Sequence, residues 1–247
     1  MSGHSKWSTI KRKKEATDQA RAKIFTKIGR EITVCVKESG GDPSTNSKLR
    51  DLIQKAKSNN VPSDNIDRII KKASGGEDKN NYVSITYEGY GPNGVAVIVE
   101  TLTDNKNRTA GDVRHYFDKF GGNMGTSGCV SFMFTGKSIV VCENKGYDED
   151  KVMEDCMEAN ADDFSIEEDV VEFVGAQNSL HAIRDALTEK GYTVLSAEVE
   201  QVPDNYVTLT DEESIKKMNL LLEYLDDNDD VQNVWHNWEN ADAGEEE

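Results

Sequence analysis

The stretch YVSITYEGYGPNGVAVIVETL, residues 82–102, decides how the middle of this 247-residue chain is built. Gly89 to Gly94 reads Gly-Tyr-Gly-Pro-Asn-Gly and satisfies the GxGxxG spacing of dinucleotide-binding loops. Such a loop works only where a strand enters and a helix leaves, because the phosphates sit on the helix N-terminus. Here Tyr82 to Tyr90 alternates like a half-buried strand and Val95 to Leu102 is a second β-branched run. Strand, turn and strand predict a β-hairpin, and no nucleotide cofactor.

Downstream, Arg108 to Phe120 carries Val113, Tyr116, Phe117 and Phe120 at helical spacing and is stopped by Gly121 and Gly122. Strands are expected at 129–134 and 138–143, a helix at 148–159, short strands near 163–174, a helix at 179–190 and a strand at 192–200. Two rounds of strand and helix read as a compact ferredoxin-like sandwich. A helix at 211–226 and a strand from Val231 to Trp238 are too little to fold alone, so they are expected to return to the hairpin. The fold class is α+β: an N-terminal three-helix domain followed by two small α/β sandwich (ferredoxin-like) domains, one inserted in the other. The expected parts are a basic arm and helical domain over 1–78, a discontinuous domain of 80–129 plus 203–238, an inserted domain of 130–202, and a disordered acidic tail at 239–247.

Upstream of the hairpin, Gly75 to Asn81 reads as a linker. Before it three helices are expected: one from Asp18 to Gly40, one opened by Asp42 and Pro43 and closed before Pro62, and one from Ser63 to Lys72. Residues 1–17 are polar and basic and suit an arm that orders on a polyanion. Between Lys6 and Arg30 stand nine Lys or Arg against two acids. On the first helix, at 100° per residue, Lys23, Lys27, Arg30 and Lys37 fall within about 80° of one another. Ile24, Phe25, Ile28, Ile32, Cys35 and Val36 cover the other side. One face is expected to pack and the other to stay charged in water, where phosphates are its natural counterpart.

The rest of the chain sharpens that contrast. Residues 1–79 hold 18 basic and 10 acidic residues, net +8, while 80–247 hold 11 and 36, net −25, together the −17 of the whole. An acidic body steers a polyanion to the N-terminal part. No apolar run reaches membrane-spanning length, and no secretory signal is apparent. The four cysteines and four histidines show no metal-ligand spacing and read as reduced thiols and scattered packing or surface residues, so the expectation is a cytoplasmic protein.

Five ordered motifs add a resemblance: GHSKW at 3–7, KIFTKIGREI at 23–32, VPSDNIDRIIKKASG at 61–75, YEGYGPNGVAVIVETLTDNKNRT at 87–109 and GGNMGTSGCVSFMF at 121–134. Together they resemble the YebC/PmpR family, which includes the mitochondrial translational activator of cytochrome oxidase, over nearly the whole chain. The chain departs from that pattern at Ala22, Asn93 and Lys106, changes that keep charge or turn chemistry. With GHSKW opening at residue 3, no room for a transit sequence is expected. The resemblance implies regulation of gene expression, through DNA in the bacterial label and through translation in the mitochondrial member. It also implies the same discontinuous domain.

No catalytic constellation, phosphate loop with Lys or metal set is legible, so the chain reads as non-enzymatic, without cofactor or small-molecule substrate. The acidic series from Asp155 to Asp169 reads as a solvated face, and Trp235 and Trp238 as core and edge packing. The candidate nucleic-acid contacts are Lys6, Trp7, Lys11, Arg12, Lys13, Lys14, Arg21, Lys23, Lys27, Arg30 and Arg108. Trp7 is open to base stacking or to packing on the first domain; Arg108 is chosen because it would open a helix where amides and a cation together suit phosphate. DNA and ribosomal RNA both remain as partners, the second through the ribosome.

Overall fold

A computed structural model of the chain describes residues 18–76 and 81–239, with the backbone alone for 18–21. The expectations for the arm, for most of the linker and for the tail beyond Glu239 lie outside the described residues. The described residues divide into a unit of residues 133–206 with Glu239 and a unit of residues 18–132 with 207–238.

In the latter unit, α1 (Asp18–Ser39), α2 (Ser47–Ser58) and α3 (Ser63–Ser74) come first. They close over Ile28, Ile32, Cys35, Val36, Leu49, Leu52 and Ile66, which is the apolar face the helical spacing marked out. Gly40, at φ +88°, ends α1 as a residue without Cβ can. The second helix starts later than Asp42, because Asn46 caps it. The Asn46 side-chain oxygen accepts the Leu49 N–H at 3.0 Å while its amide donates to the Gly40 carbonyl at 2.8 Å, so one buried residue ties the end of α1 to the start of α2.

The hairpin follows as β1 (Val83–Tyr90) and β2 (Ala96–Thr103), antiparallel with Val83 opposite Thr103 and Tyr90 opposite Ala96. Asn93 (φ 52°) and Gly94 (φ +81°) make the turn. Then come α4 (Lys106–Lys119) and β3 (Asn123–Met124), and, much later in the sequence, α7 (Glu212–Asp227) and β8 (Val231–His236). The sheet order is β3-β1-β2-β8, with α4 and α7 packed against it through Phe117, Met218, Leu221 and Leu225. Central position explains why β2 is buried at every position but the half-buried Glu100, and why its first half, Ala96 to Val99, is apolar without alternation. Trp238 is fully buried; Trp235, opposite Ile98, is only partly so.

The unit of 133–206 runs β4 (Phe134–Glu143), α5 (Glu149–Glu158), β5 (Asp163–Ile166), β6 (Val170–Ala176), α6 (Leu180–Glu189) and β7 (Val194–Pro203). Its antiparallel order β5-β6-β4-β7 is that of a ferredoxin-like sandwich, so an α+β fold of N-terminal helices and two antiparallel sheets is what the chain adopts. Two expectations change here. The strand foreseen at 129–134 does not form, because Ser131–Met133 is a 3-10 turn, and the one foreseen at 138–143 begins earlier, at Phe134: Thr135-Gly136-Lys137, which looks like a turn, is extended opposite Gln201, and a Cβ on Gly136 would strike the Gln177 side chain. Asp155 is buried, not solvated, and its carboxylate meets Lys151 at 2.6 Å, Lys190 at 2.9 Å and the Tyr192 hydroxyl at 2.9 Å. Burial pushes that carboxyl up, but the bonds from Lys151, Lys190 and Tyr192 outweigh it and hold the group below its ordinary value. Burial alone pushes the Cys142 thiol up to about 12.

Since β8 and α7 supply one edge and part of the cover of the first sheet, a chain ending after Tyr206 is expected to lose the cooperative thermal transition of that sheet. Residues 133–206 alone should melt cooperatively. Circular dichroism melts of the two fragments check this, and a cooperative first sheet without residues 207–238 would contradict it.

Candidate nucleic-acid interface

Lys23, Lys27 and Arg30 of the α1 stripe are engaged by the protein itself, while Lys37 is exposed. The Lys23 ammonium lies 2.5 Å from the Asp227 carboxylate; Lys27 donates to the Asp226 carbonyl at 2.8 Å and to its carboxylate at 3.2 Å. Arg30 donates to the Asp230 carboxylate at 2.7 Å, the Asp229 carbonyl at 2.6 Å and the Leu102 carbonyl at 3.4 Å. The counterpart is the run Asp-Asp-Asn-Asp-Asp at 226–230, where α7 ends and β8 begins. Two effects make it anionic: its four carboxylates, and the unpaired carbonyls at the C-terminus of α7. The sequence-based expectation of a solvated face fails because a stronger acidic neighbour, about 200 residues away in the chain, folds onto it.

Asp230 anchors this contact. It is 3% exposed. One carboxylate oxygen takes Arg30; the other has the Arg108 guanidinium at 2.7 Å, the Thr109 hydroxyl at 2.7 Å and the Thr103 hydroxyl at 3.1 Å. Its backbone carbonyl accepts the Leu102 N–H at 2.7 Å. Burial would raise the carboxyl, but the hydrogen bonds from Arg108, Thr109, Arg30 and Thr103 dominate and hold it below its usual range. Arg108 is correspondingly held above its ordinary value by Asp230 and Asp104.

Arg108 thus differs from its expected role. The helix starts at Lys106, so Arg108 does not open it, and its N–H is taken by the Asn105 side chain at 3.1 Å. Its guanidinium points to Asp104 at 2.9 Å and to Asp230. Of the eleven candidate residues, Lys23, Lys27, Arg30 and Arg108 are brought together, around the 226–230 run. Lys6, Trp7, Lys11, Arg12, Lys13 and Lys14 lie outside the described residues, as does the side chain of Arg21.

Beside Arg30 the same unit opens a cleft of about 310 Å³ between α1, α3 and the start of the first sheet. Phe25, Gly29 and Arg30 line it from α1, Ile69 and Lys72 from α3, and Tyr82 from the sheet side. The Arg30 guanidinium sits 5.4 Å from the Tyr82 ring centroid, within cation–π range. Sequence reasoning missed Tyr82 and Lys72, which carry no pattern of their own and become neighbours only when α3 packs on α1. It also missed Asp230: four acids in five residues were visible, but they merged into a generally acidic body. No group of three or more His, Cys, Asp or Glu side chains that could hold a metal occurs among the described residues, and no described helix is long and apolar enough to cross a membrane.

The exposed pairs Lys23–Asp227 and Lys27–Asp226 are worth only ~0–1 kcal/mol each, whereas stripping one partner from a buried pair costs ~3–5 kcal/mol. Asp230→Ala is therefore expected to destabilise the unit by ~3–5 kcal/mol in urea unfolding, and Asp226→Ala by less than ~1 kcal/mol. A depressed folded-state carboxyl contributes stability that is complete above the unfolded value of ~3.9 and is lost as pH falls through the folded value. Asp230→Asn should accordingly flatten the stability profile below about pH 4, and an unaltered acid limb would contradict the assignment.

Comparison with known proteins agrees with this architecture. Residues 5–76 match the family description "TACO1/YebC protein N-terminal domain", and residues 82–238 match "TACO1/YebC second and third domain". A "Probable transcriptional regulatory protein" of Acetivibrio thermocellus is 54% identical over 239 residues, 96% of this chain and 99% of the relative. One of the same description from Ruminiclostridium cellulolyticum is 54% identical over 248 residues and the full length of both. The crystal structure of conserved hypothetical protein Aq1575 from Aquifex aeolicus superposes with a TM-score of 0.81 at 38% identity, covering 90% of this chain and 91% of that one. With both family descriptions matched in order, and with the helices and the two antiparallel sheets in place, the chain belongs to the TACO1/YebC family.

Proposed function

We propose that the chain is a non-enzymatic regulator of gene expression that binds nucleic acid through its N-terminal arm and helical domain. The carrying observation is the charge map: net +8 over residues 1–79 and −25 over residues 80–247. Within the basic part, Lys23, Lys27 and Arg30 of the α1 stripe are already paired with residues 226–230. Phosphate binding then falls to Lys6, Lys11, Arg12, Lys13 and Lys14 of the arm, with Trp7 among them. On the described surface, the exposed Arg68, Lys71 and Lys72 of α3 join them. The names of the relatives, probable transcriptional regulatory proteins, support the regulatory role.

The target is DNA on the strength of those names and RNA on the strength of the chemistry. A reader of duplex DNA lays a helix with Arg, Asn or Gln along the major groove. The α1 stripe is mostly Lys and is occupied, and Trp7 stands among cations as a residue that stacks on unpaired bases does. A translation role through ribosomal RNA is the second reading, and this observation favours it.

Replacing Lys6, Lys11, Arg12, Lys13 and Lys14 by Glu is expected to weaken binding to every nucleic acid tested, since ion pairs with phosphate carry no sequence information. With five phosphate-binding cations removed, the slope of log K against log salt should shrink by roughly 3.5–4.5 units. An unchanged slope would remove the arm from the interface. Cross-linking in cells followed by sequencing decides the target: ribosomal RNA recovered with the parent and absent with the Glu variant marks the translation reading, and discrete promoter fragments with ribosomal RNA at background mark the transcription reading.

A further inference from the structure

We infer that the cleft between α1, α3 and Tyr82 receives one unpaired nucleotide of a nucleic-acid strand, its base against Tyr82 and Phe25 and its phosphate on Lys72. This rests on the reading that the chain binds nucleic acid, and adds to it the state of the strand and the place where a base is held.

The composition of the lining carries the inference. In a chain with 46 acids and 29 basic residues, this cleft is lined, among the described residues, by two aromatic rings, an aliphatic wall and two cations, with no carboxylate. An aromatic ring that carries a phosphate is the ligand whose two halves need those two kinds of wall. At about 310 Å³ the cleft lies at the small end of ligand sites, which run from ~300 to ~1,000 Å³, and suits one nucleotide better than a longer segment.

The cations divide the work. Arg30 is held by the Asp230 carboxylate, the Asp229 carbonyl and the Leu102 carbonyl, so its guanidinium is a fixed wall beside the Tyr82 ring. Lys72 is exposed and has no ion-pair partner among the described residues, so it is the cation left for a phosphate. Gly29 keeps the floor low: a Cβ there would lie 3.2 Å from the Ile69 Cδ1 atom. Thr26 and Thr33 give their hydroxyl protons to the Ala22 and Gly29 carbonyls at 3.0 and 2.8 Å, which leaves their oxygens as acceptors for an exocyclic amino group.

A duplex cannot use such a cleft, because the faces of paired bases are covered by their neighbours. A free mononucleotide would have little to hold it, since one Lys and no glycine-rich loop at a helix N-terminus face its phosphate. Neighbouring phosphates of a strand, by contrast, reach Lys71 and Arg68, exposed on the same helix.

The test uses the full chain with a short fluorescein-labelled single strand, as RNA and as DNA, the same strands annealed to their complements, and uridine monophosphate. Tyr82→Leu is expected to weaken single-strand binding about tenfold while duplex binding holds, with Tyr82→Phe near the parent and Lys72→Glu weakening both substrates, the single strand more. A strand carrying 5-iodouridine should photo-cross-link to Tyr82 or Phe25, read by mass spectrometry on the parent protein. Equal losses for single strand and duplex in Tyr82→Leu, no loss in either, or cross-links confined to other segments would overturn the inference. So would uridine monophosphate binding as tightly as the strand. If the Glu-substituted arm weakens both substrates while Tyr82→Leu weakens neither, nucleic-acid binding stands and the cleft falls. Should the arm substitutions leave all binding intact, the underlying reading falls with it.

Discussion

A single buried carboxylate, that of Asp230, joins the helical part of the chain to its first sheet. It is reached from α1 by Arg30 and from α4 by Arg108 and Thr109, while its own backbone continues β8 beside β2. A carboxylate so placed is tolerable only because each oxygen has a cationic donor; removing either arginine would leave charge in a poorly solvated site. The arrangement fixes the angle at which α1 approaches the sheet, and everything beside it follows. Lys23 and Lys27 meet the end of α7, Arg30 meets Tyr82, and the cleft between α1 and α3 acquires its aromatic wall.

The ion pairs around Asp230 are not alike, and the difference orders them in function. Lys23–Asp227 and Lys27–Asp226 have carboxylates open to water, so salt screens them and each adds little to stability. Arg30–Asp230 is enclosed, and neither salt nor a passing polyanion displaces it easily. The part of the stripe that positions Tyr82 is thus the rigid part, and the part nearest the open surface is the exchangeable one.

Much of the fold was legible in the sequence. The hairpin was readable because a β-branched run follows the glycines where a nucleotide loop needs a helix, and the three helices because Ile28, Ile32, Leu49, Leu52 and Ile66 recur at helical spacing. Where the reading failed, a local signal was overruled by something distant. Thr135-Gly136-Lys137 resembles a turn, yet it is strand because it pairs with Glu200 to Val202 of β7, and its glycine leaves room for the Gln177 side chain. Asp42 and Pro43 resemble a helix start, but the buried Asn46 has better partners at both helix ends. Asp155 resembles its solvated neighbours and differs from them only through Lys151, Lys190 and Tyr192.

The candidate site was legible as a charge, and illegible as a surface. Helical spacing places Lys23, Lys27 and Arg30 on one face but carries no information about what lies opposite, and the opposing acids stand some 200 residues further on. A net charge of +8 in one region and −25 in another predicts two things at once: attraction of an outside polyanion, and attraction between the two regions of the same chain. The second is satisfied first, at folding, and it consumes the best-ordered cations. What remains for an outside partner is the charge that folding did not use. On the described surface that remainder is found at the exposed end of α3, and the uncharged surface next to it is the pair of rings beside Lys72.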